Sequence, residues 1–174
     1  ALKEPGADRE GLEADVAEME AMLEGYLDYA RGNVQEEDRL ILLPDLVVGA
    51  AEPGKWPDLH IHFERLAEVA IKGRKTALIR LVNNLLSNAQ RHASHAWIGI
   101  DATERVAKII IDDDGPGIAE KHRSRVFERF YRVDRGRSKH MGGTGLGLSI
   151  VKHLVANMHG TVGVLPNEPT GSIF

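Results

Sequence analysis

The stretch NNLLSNAQRHA at residues 83–93 spaces Asn84, Asn88 and Arg91 by four and then three. On a helix, at about 100° per residue, the three fall in one narrow arc, away from the line of Leu81 and Leu85. An Asn amide oxygen is a hard, neutral ligand for Mg²⁺ that is already shared with phosphates, and Arg91 is able to pair with those phosphates. Taken alone, the stripe reads better as the solvated face of an amphipathic helix.

A second stretch, IIIDDDGPGI at 109–118, ends an apolar strand in Asp-x-Gly-x-Gly. Gly115 and Gly117 let the backbone approach a flat ring, and Asp113 offers a carboxylate to its edge. A carboxylate accepts a hydrogen bond from an exocyclic amine and repels a carbonyl oxygen, which favours adenine over guanine. An acidic turn after a core strand explains this stretch equally well. The third, GGTGLGLSIVKHL at 142–154, is a glycine-rich turn running into an amphipathic helix, whose first backbone amides form an anion site. Ahead of it lie Arg123, Arg125, Arg129, Arg132, Arg135, Arg137 and Lys139. A triphosphate accounts for so basic a cluster in an acidic chain, and Phe127 and Phe130 are placed to pin the segment to the domain.

These residues need a scaffold. Asp8 to about Arg31 predicts a helix with an apolar seam at Leu12, Val16, Met19, Leu23, Tyr26 and Ala30, the heptad spacing of a coiled coil or bundle. Met22, Leu27 and Tyr29 widen the stripe toward a four-helix bundle, and Gly32 and Asn33 stop it. A surface helix packed on its own domain is the alternative. After a polar hinge, short strands alternate with helices. Arg39–Leu43 reads as a strand and Pro44 opens a short helix. Leu59–Phe63 and Glu68–Ile71 look like a hairpin. Thr76 is placed to cap a helix with the apolar face Leu78, Leu81, Val82, Leu85 and Ala89. Strands follow at Ala96–Asp101 and Val106–Asp112, then a polar segment from Ala119 to Gly143 and a helix from about Gly145 to Asn157. Strands near Thr161–Leu165 and Ser172–Phe174 close the chain, the last expected to be cut short at Phe174. Such a pattern is α+β, a mixed sheet covered on one face by helices.

Length and composition suit one main domain with a short appendage. A formal charge of −4 with pI near 6.1 gives no broad attraction to nucleic acid or an anionic membrane. The absence of cysteine excludes thiolate chemistry and fits a cytoplasmic setting. No apolar run approaches a membrane span, so any anchor is expected outside these residues. The GxGxxG spacing fails, since Leu148 and Glu120 stand where its last glycine belongs, and GxxxxGK[ST] is missing. Histidine spacing offers no zinc set; His60 and His62 alternate on a strand and read as a solvated face.

The order NLLSNAQRHA, DDDGPGI, FERFYR, GGTGLGLSIV resembles the N, G1, F and G2 boxes of sensor histidine kinases, within the gyrase, Hsp90, histidine kinase and MutL ATPase superfamily. The likeness covers the chain from about residue 40. The first helix resembles the second helix of the kinase dimerisation and histidine phosphotransfer region, which divides the chain into 1–33 and a catalytic domain at 34–174. The acidic, compact character is similar to a proteobacterial osmosensor subfamily. This resemblance implies a two-layer α/β sandwich of the Bergerat type that binds Mg-ATP. It implies Asn88 on Mg²⁺, with Asn84 in the same ATP-binding box, and Arg91 and His92 near the phosphates and ribose. Asp113 would meet the adenine amine, with Gly115, Gly117 and Ile118 around the base. Tyr131, Arg132 and Val133 would be lid contacts, and Thr144, Gly145, Leu146, Gly147 and Leu148 the phosphate-side glycine box. Implied partners are a second copy through the first helix, a phosphoacceptor helix and a response regulator, and no nucleic acid. A membrane would be met only through segments outside the chain.

Hydrolytic members resemble one another in carrying a glutamate where this chain has Asn84. A neutral amide is a poor general base, so transfer of the γ-phosphoryl group to an imidazole is favoured over attack by water. A gyrase-like or Hsp90-like ATPase is the runner-up, and a non-catalytic nucleotide-binding dimerisation module the third possibility. None of the eight histidines is followed by the acid that marks family acceptor sites.

Overall fold

A computed structural model describes residues 36–133 and 144–174. The heptad helix, Arg135, Arg137, Lys139, Gly142 and Gly143 lie outside the described residues. The elements run β1 (Arg39–Leu42), α1 (Leu43–Ala50), β2 (His60–Leu66), β3 (Ala70–Gly73), α2 (Lys75–His92), β4 (His95–Ala102), β5 (Ala107–Asp113), α3 (Glu120–Arg123), α4 (Gly147–Asn157), β6 (Leu165–Pro166) and β7 (Ser172–Ile173).

One layer is a five-stranded sheet in the order β2-β4-β5-β7-β6; β1 and β3 form a separate antiparallel pair. On β4, Ala96, Ile98 and Ile100 turn to one face and are fully buried with Ile111 of β5. Against them pack Leu78, Leu81, Val82, Leu85, Leu86 and Ala89 of α2 and Ile150, Val151 and Leu154 of α4. These helical positions recur at three and four residues, so each helix turns one apolar stripe to the sheet. The result is a mixed α/β fold with helices covering one sheet face.

The expected hairpin at 59–71 does not form. β2 pairs in parallel with β4, and β3 pairs with β1. The chain between them is drawn two ways: Ala67 N–H donates to the Ile100 carbonyl, while the Val69 carbonyl accepts from Leu43 N–H. Period-two alternation identifies a strand and leaves its partner open, and here the α2 crossover supplies a parallel neighbour. Nor does Thr76 cap α2. The cap position is Arg74, and the Glu36 carboxylate, 40 residues upstream, accepts from Thr76 N–H at 3.1 and 3.2 Å. Of the strand expected at Thr161–Leu165, only Leu165 enters a ladder, continuing to Pro166. Val164 instead buries itself with Val126 and Phe127 in a small second core.

Candidate functional site

Asp113 ends β5 with its side chain on the helix-covered face, 4% exposed. Its Oδ1 accepts from Gly115 N–H at 2.9 Å and from Ser172 N–H at 3.2 Å. Burial pushes the carboxyl above the ordinary range; the two N–H donors and His92 pull the other way. The next residue behaves differently. Asp114 Oδ1 accepts from Ser94 and His95 N–H at 2.9 and 2.8 Å, donations that hold its carboxyl below the usual range.

Gly115 and Gly117 have a use the sequence did not reveal. A Cβ on Gly115 would stand 2.8 Å from the His92 carbonyl oxygen, and one on Gly117, at φ +73°, 2.8 Å from that of Gly171. Gly171 itself sits so close that a Cβ would overlap the Asp113 carbonyl. These glycines let chain pack on chain around the carboxylate, before any ring approaches. Ile118 is half-buried, and its carbonyl accepts from Arg123 Nε at 2.9 Å.

At the C-terminal end of α2, Arg91 and His92 line an open cleft of about 400 Å³ with Ser94, Asp114, Gly115 and Thr170. Partial burial lowers the proton affinity of both Arg91 and His92. Arg132 adds to the effect on Arg91, and Arg91 adds to it on His92, with Asp113 opposing. Arg91 at the end of α2 thus feels the positive charge of Arg132, from the segment after α3.

Asn84 lies two turns back. Its Nδ2 donates to the Arg80 carbonyl at 2.8 Å, and its Oδ1 faces Gly147, where a Cβ would come within 3.2 Å. With Asn83 and Ser87 it lines a second cleft of about 330 Å³ beside Lys55 and Trp56. The polar stripe of α2 therefore spans two clefts, with half-buried Asn88 between them in sequence. Trp56, Ser94 and Thr170 escaped the sequence analysis because no motif spacing marks them, and Asn83 and Asp114, inside the first two stretches, were given no role there.

The glycine box is partly core. Leu146 is 8% exposed and Leu148 packs against both cores, so both leucine side chains are spent on packing. Gly145, at φ +68°, halts the helix expected to start there, and α4 begins at Gly147. The Thr144 hydroxyl accepts from Leu146 N–H at 3.3 Å. Of the two phenylalanines expected to pin the basic segment, only Phe127 is buried; Phe130 is 55% exposed. Tyr131 ties the segment to itself, its hydroxyl 2.6 Å from His122 Nδ1 and its ring under Arg125 at 4.4 Å. Val133 is exposed.

Residues 73–174, well over half the chain, match the histidine kinase-, DNA gyrase B-, and HSP90-like ATPase family. The chain belongs to this family. It is 32% identical over 175 residues to the sensor protein RstB of Escherichia coli, covering 97% of this chain and 40% of RstB. To the sensor-like histidine kinase SenX3 of Mycobacterium tuberculosis it is 39% identical over 120 residues, 67% of this chain and 29% of SenX3. The ATP binding domain of PrrB from Mycobacterium tuberculosis superposes with a TM-score of 0.66 at 25% identity, covering 79% of this chain and 93% of that domain. The chain thus carries a histidine kinase catalytic domain and spans less than half the length of these curated sensor relatives. No helix among the described residues is long and apolar enough to cross a membrane.

Proposed function

We propose that this histidine kinase domain binds Mg-ATP and passes the γ-phosphoryl group to a histidine on a dimerisation helix in two-component signalling. The observation that carries this reading is the buried carboxylate of Asp113, whose Oδ1 accepts from the N–H of Gly115 at the wall of the cleft that Arg91 and His92 line. A buried acid suits an exocyclic amine, and an arginine at the rim of the same cleft suits a polyphosphate. The PrrB relative's name as an ATP binding domain is consistent with this.

In this reading Asp113 accepts from the adenine amine, and Gly115, Gly117 and Ile118 border the base. Arg91, His92, Tyr131, Arg132 and Val133 surround ribose and phosphates, and the backbone from Thr144 to Leu148 faces the phosphate end. Mg²⁺ would be held by Asn88. The amide oxygen of Asn88 is a single hard, neutral donor, so the ion fits as one shared with phosphate oxygens and water. When bound, it would neutralise charge on the transferring group. Asn84, engaged with the Arg80 carbonyl, offers no base for water, which favours transfer over hydrolysis. In this proposal residues 1–33 supply the second helix of the dimerisation region, the acceptor histidine stands on another helix outside these 174 residues, and a response regulator takes the phosphoryl group onward.

The decisive experiment supplies a matching acceptor helix hairpin separately, with γ-labelled ATP. Acid-labile label should appear on the hairpin only with Mg²⁺ present. Rapid release of free phosphate with no label on any hairpin would favour the ATPase reading.

A further inference from the structure

The sheet face turned away from α2 and α4 carries a row of stacked rings. Alternate residues of a strand share a face, and β2 runs parallel to β4 with His60 opposite His95 and His62 opposite Trp97. His95 stacks on His60 and His62 with ring centroids 5.0 and 5.3 Å apart, and His62 stacks on Trp97 at 5.4 Å. Within this row His62 Nε2 lies 3.0 Å from His95 Nδ1.

We propose that His62 and His95 form a two-imidazole clasp for a divalent transition-metal ion of the Ni²⁺, Cu²⁺ and Zn²⁺ class, separate from the ATP site. Metal–imidazole bonds of about 2.0–2.1 Å place two neighbouring ligand nitrogens roughly 2.9–3.4 Å apart for bond angles of about 90–110°. The observed spacing falls inside that interval. Without metal the same spacing serves one N–H···N hydrogen bond; an ion binding both nitrogens sends that proton through solvent to the other nitrogen of its own ring. The β4 arm is anchored, since His95 N–H donates to Asp114 Oδ1 at 2.8 Å, and exposed His62 is open to ions from solvent. Asp112 of β5 stands opposite Trp97 on this face, its carboxyl held above the ordinary range by burial first and by Glu64 second. No third protein ligand converges among the described residues, so water completes the shell and selectivity follows the Irving–Williams order. Hard, strongly hydrated Mg²⁺ does not compete.

The test titrates Ni²⁺ into the chelator-treated full chain, read by calorimetry and by quenching of Trp97. One ion should bind per chain, Cu²⁺ more tightly and Mn²⁺ more weakly, with excess Mg²⁺ leaving the isotherm unchanged. His62→Gln and His95→Gln should each weaken binding by about tenfold or more, while His60→Gln stays within about threefold. Thermal melts confirm that the variants fold; if His95→Gln does not, His62→Gln on the open face decides alone. Absence of saturable binding, survival of binding in His62→Gln, or an equal loss in His60→Gln overturns the proposal.

Discussion

Phe130 donates its backbone N–H to the Gly145 carbonyl at 3.0 Å, joining the aromatic box to the glycine box through main chain. The contact is possible because Gly145 holds φ +68° and lacks a Cβ, which would stand 2.9 Å from Phe130 Cα. Gly145→Ala should therefore cost about 1–3 kcal/mol in urea unfolding and weaken ATP binding with it. An unchanged midpoint would mean that the two boxes are joined less rigidly than this geometry requires.

Asp113→Asn separates binding from stability. The amide keeps an acceptor for Gly115 and Ser172 N–H but loses the charge that would meet the adenine amine, so ATP affinity should drop by about 1–3 kcal/mol in calorimetry. Stability should move the other way. Because burial raises this carboxyl in the fold, the native state holds its proton more tightly than the unfolded chain. Wild-type stability therefore falls as pH rises from the ordinary carboxylate value through the raised one. The variant should lack this contribution and melt no lower than the parent at neutral pH.

His92 carries the opposite sign. Its proton affinity is lowered by partial burial and by Arg91, so between its lowered value and the ordinary histidine value the unfolded chain binds more protons. Stability rises with pH through that window and is lost below it. Melts of His92→Gln from about pH 5 to 7.5 should show a flatter slope than the parent. A parallel slope would assign the titration elsewhere.

Self-labelling is expected to fail. His60, His62, His92, His95, His122, His140, His153 and His159 precede Ile, Phe, Ala, Ala, Arg, Met, Leu and Gly, none of them an acid. Incubation with γ-labelled ATP and Mg²⁺ should leave the chain unlabelled on its own. Stoichiometric acid-labile label would identify an acceptor among these eight.

The proposed dimer helix can be broken from within. Val16→Lys with Met19→Lys puts two charges into the heptad seam, and sedimentation should show self-association lost. An unchanged dimer mass would place the interface elsewhere.

The helices α2 and α4, the strands β4 and β5 and the three chemical stretches were legible in the sequence. Each rests on neighbours within a few residues: a 3.6-residue period, a two-residue alternation, glycines beside an acid. What closes the site was not legible. Ser172 reaches Asp113 across 59 positions, Glu36 reaches Thr76 across 40, and His62 meets His95 across 33. The choice of β4 over β3 as partner for β2 belongs with these, as does the burial of Phe127 while Phe130 stays outside. Local patterns set each element's type and its apolar side, since backbone sterics and side-chain period act over a few residues. Which elements meet, and which side chain reaches a distant N–H, depends on how the apolar faces of α2 and α4 settle on the sheet, a property of the packed core as a whole.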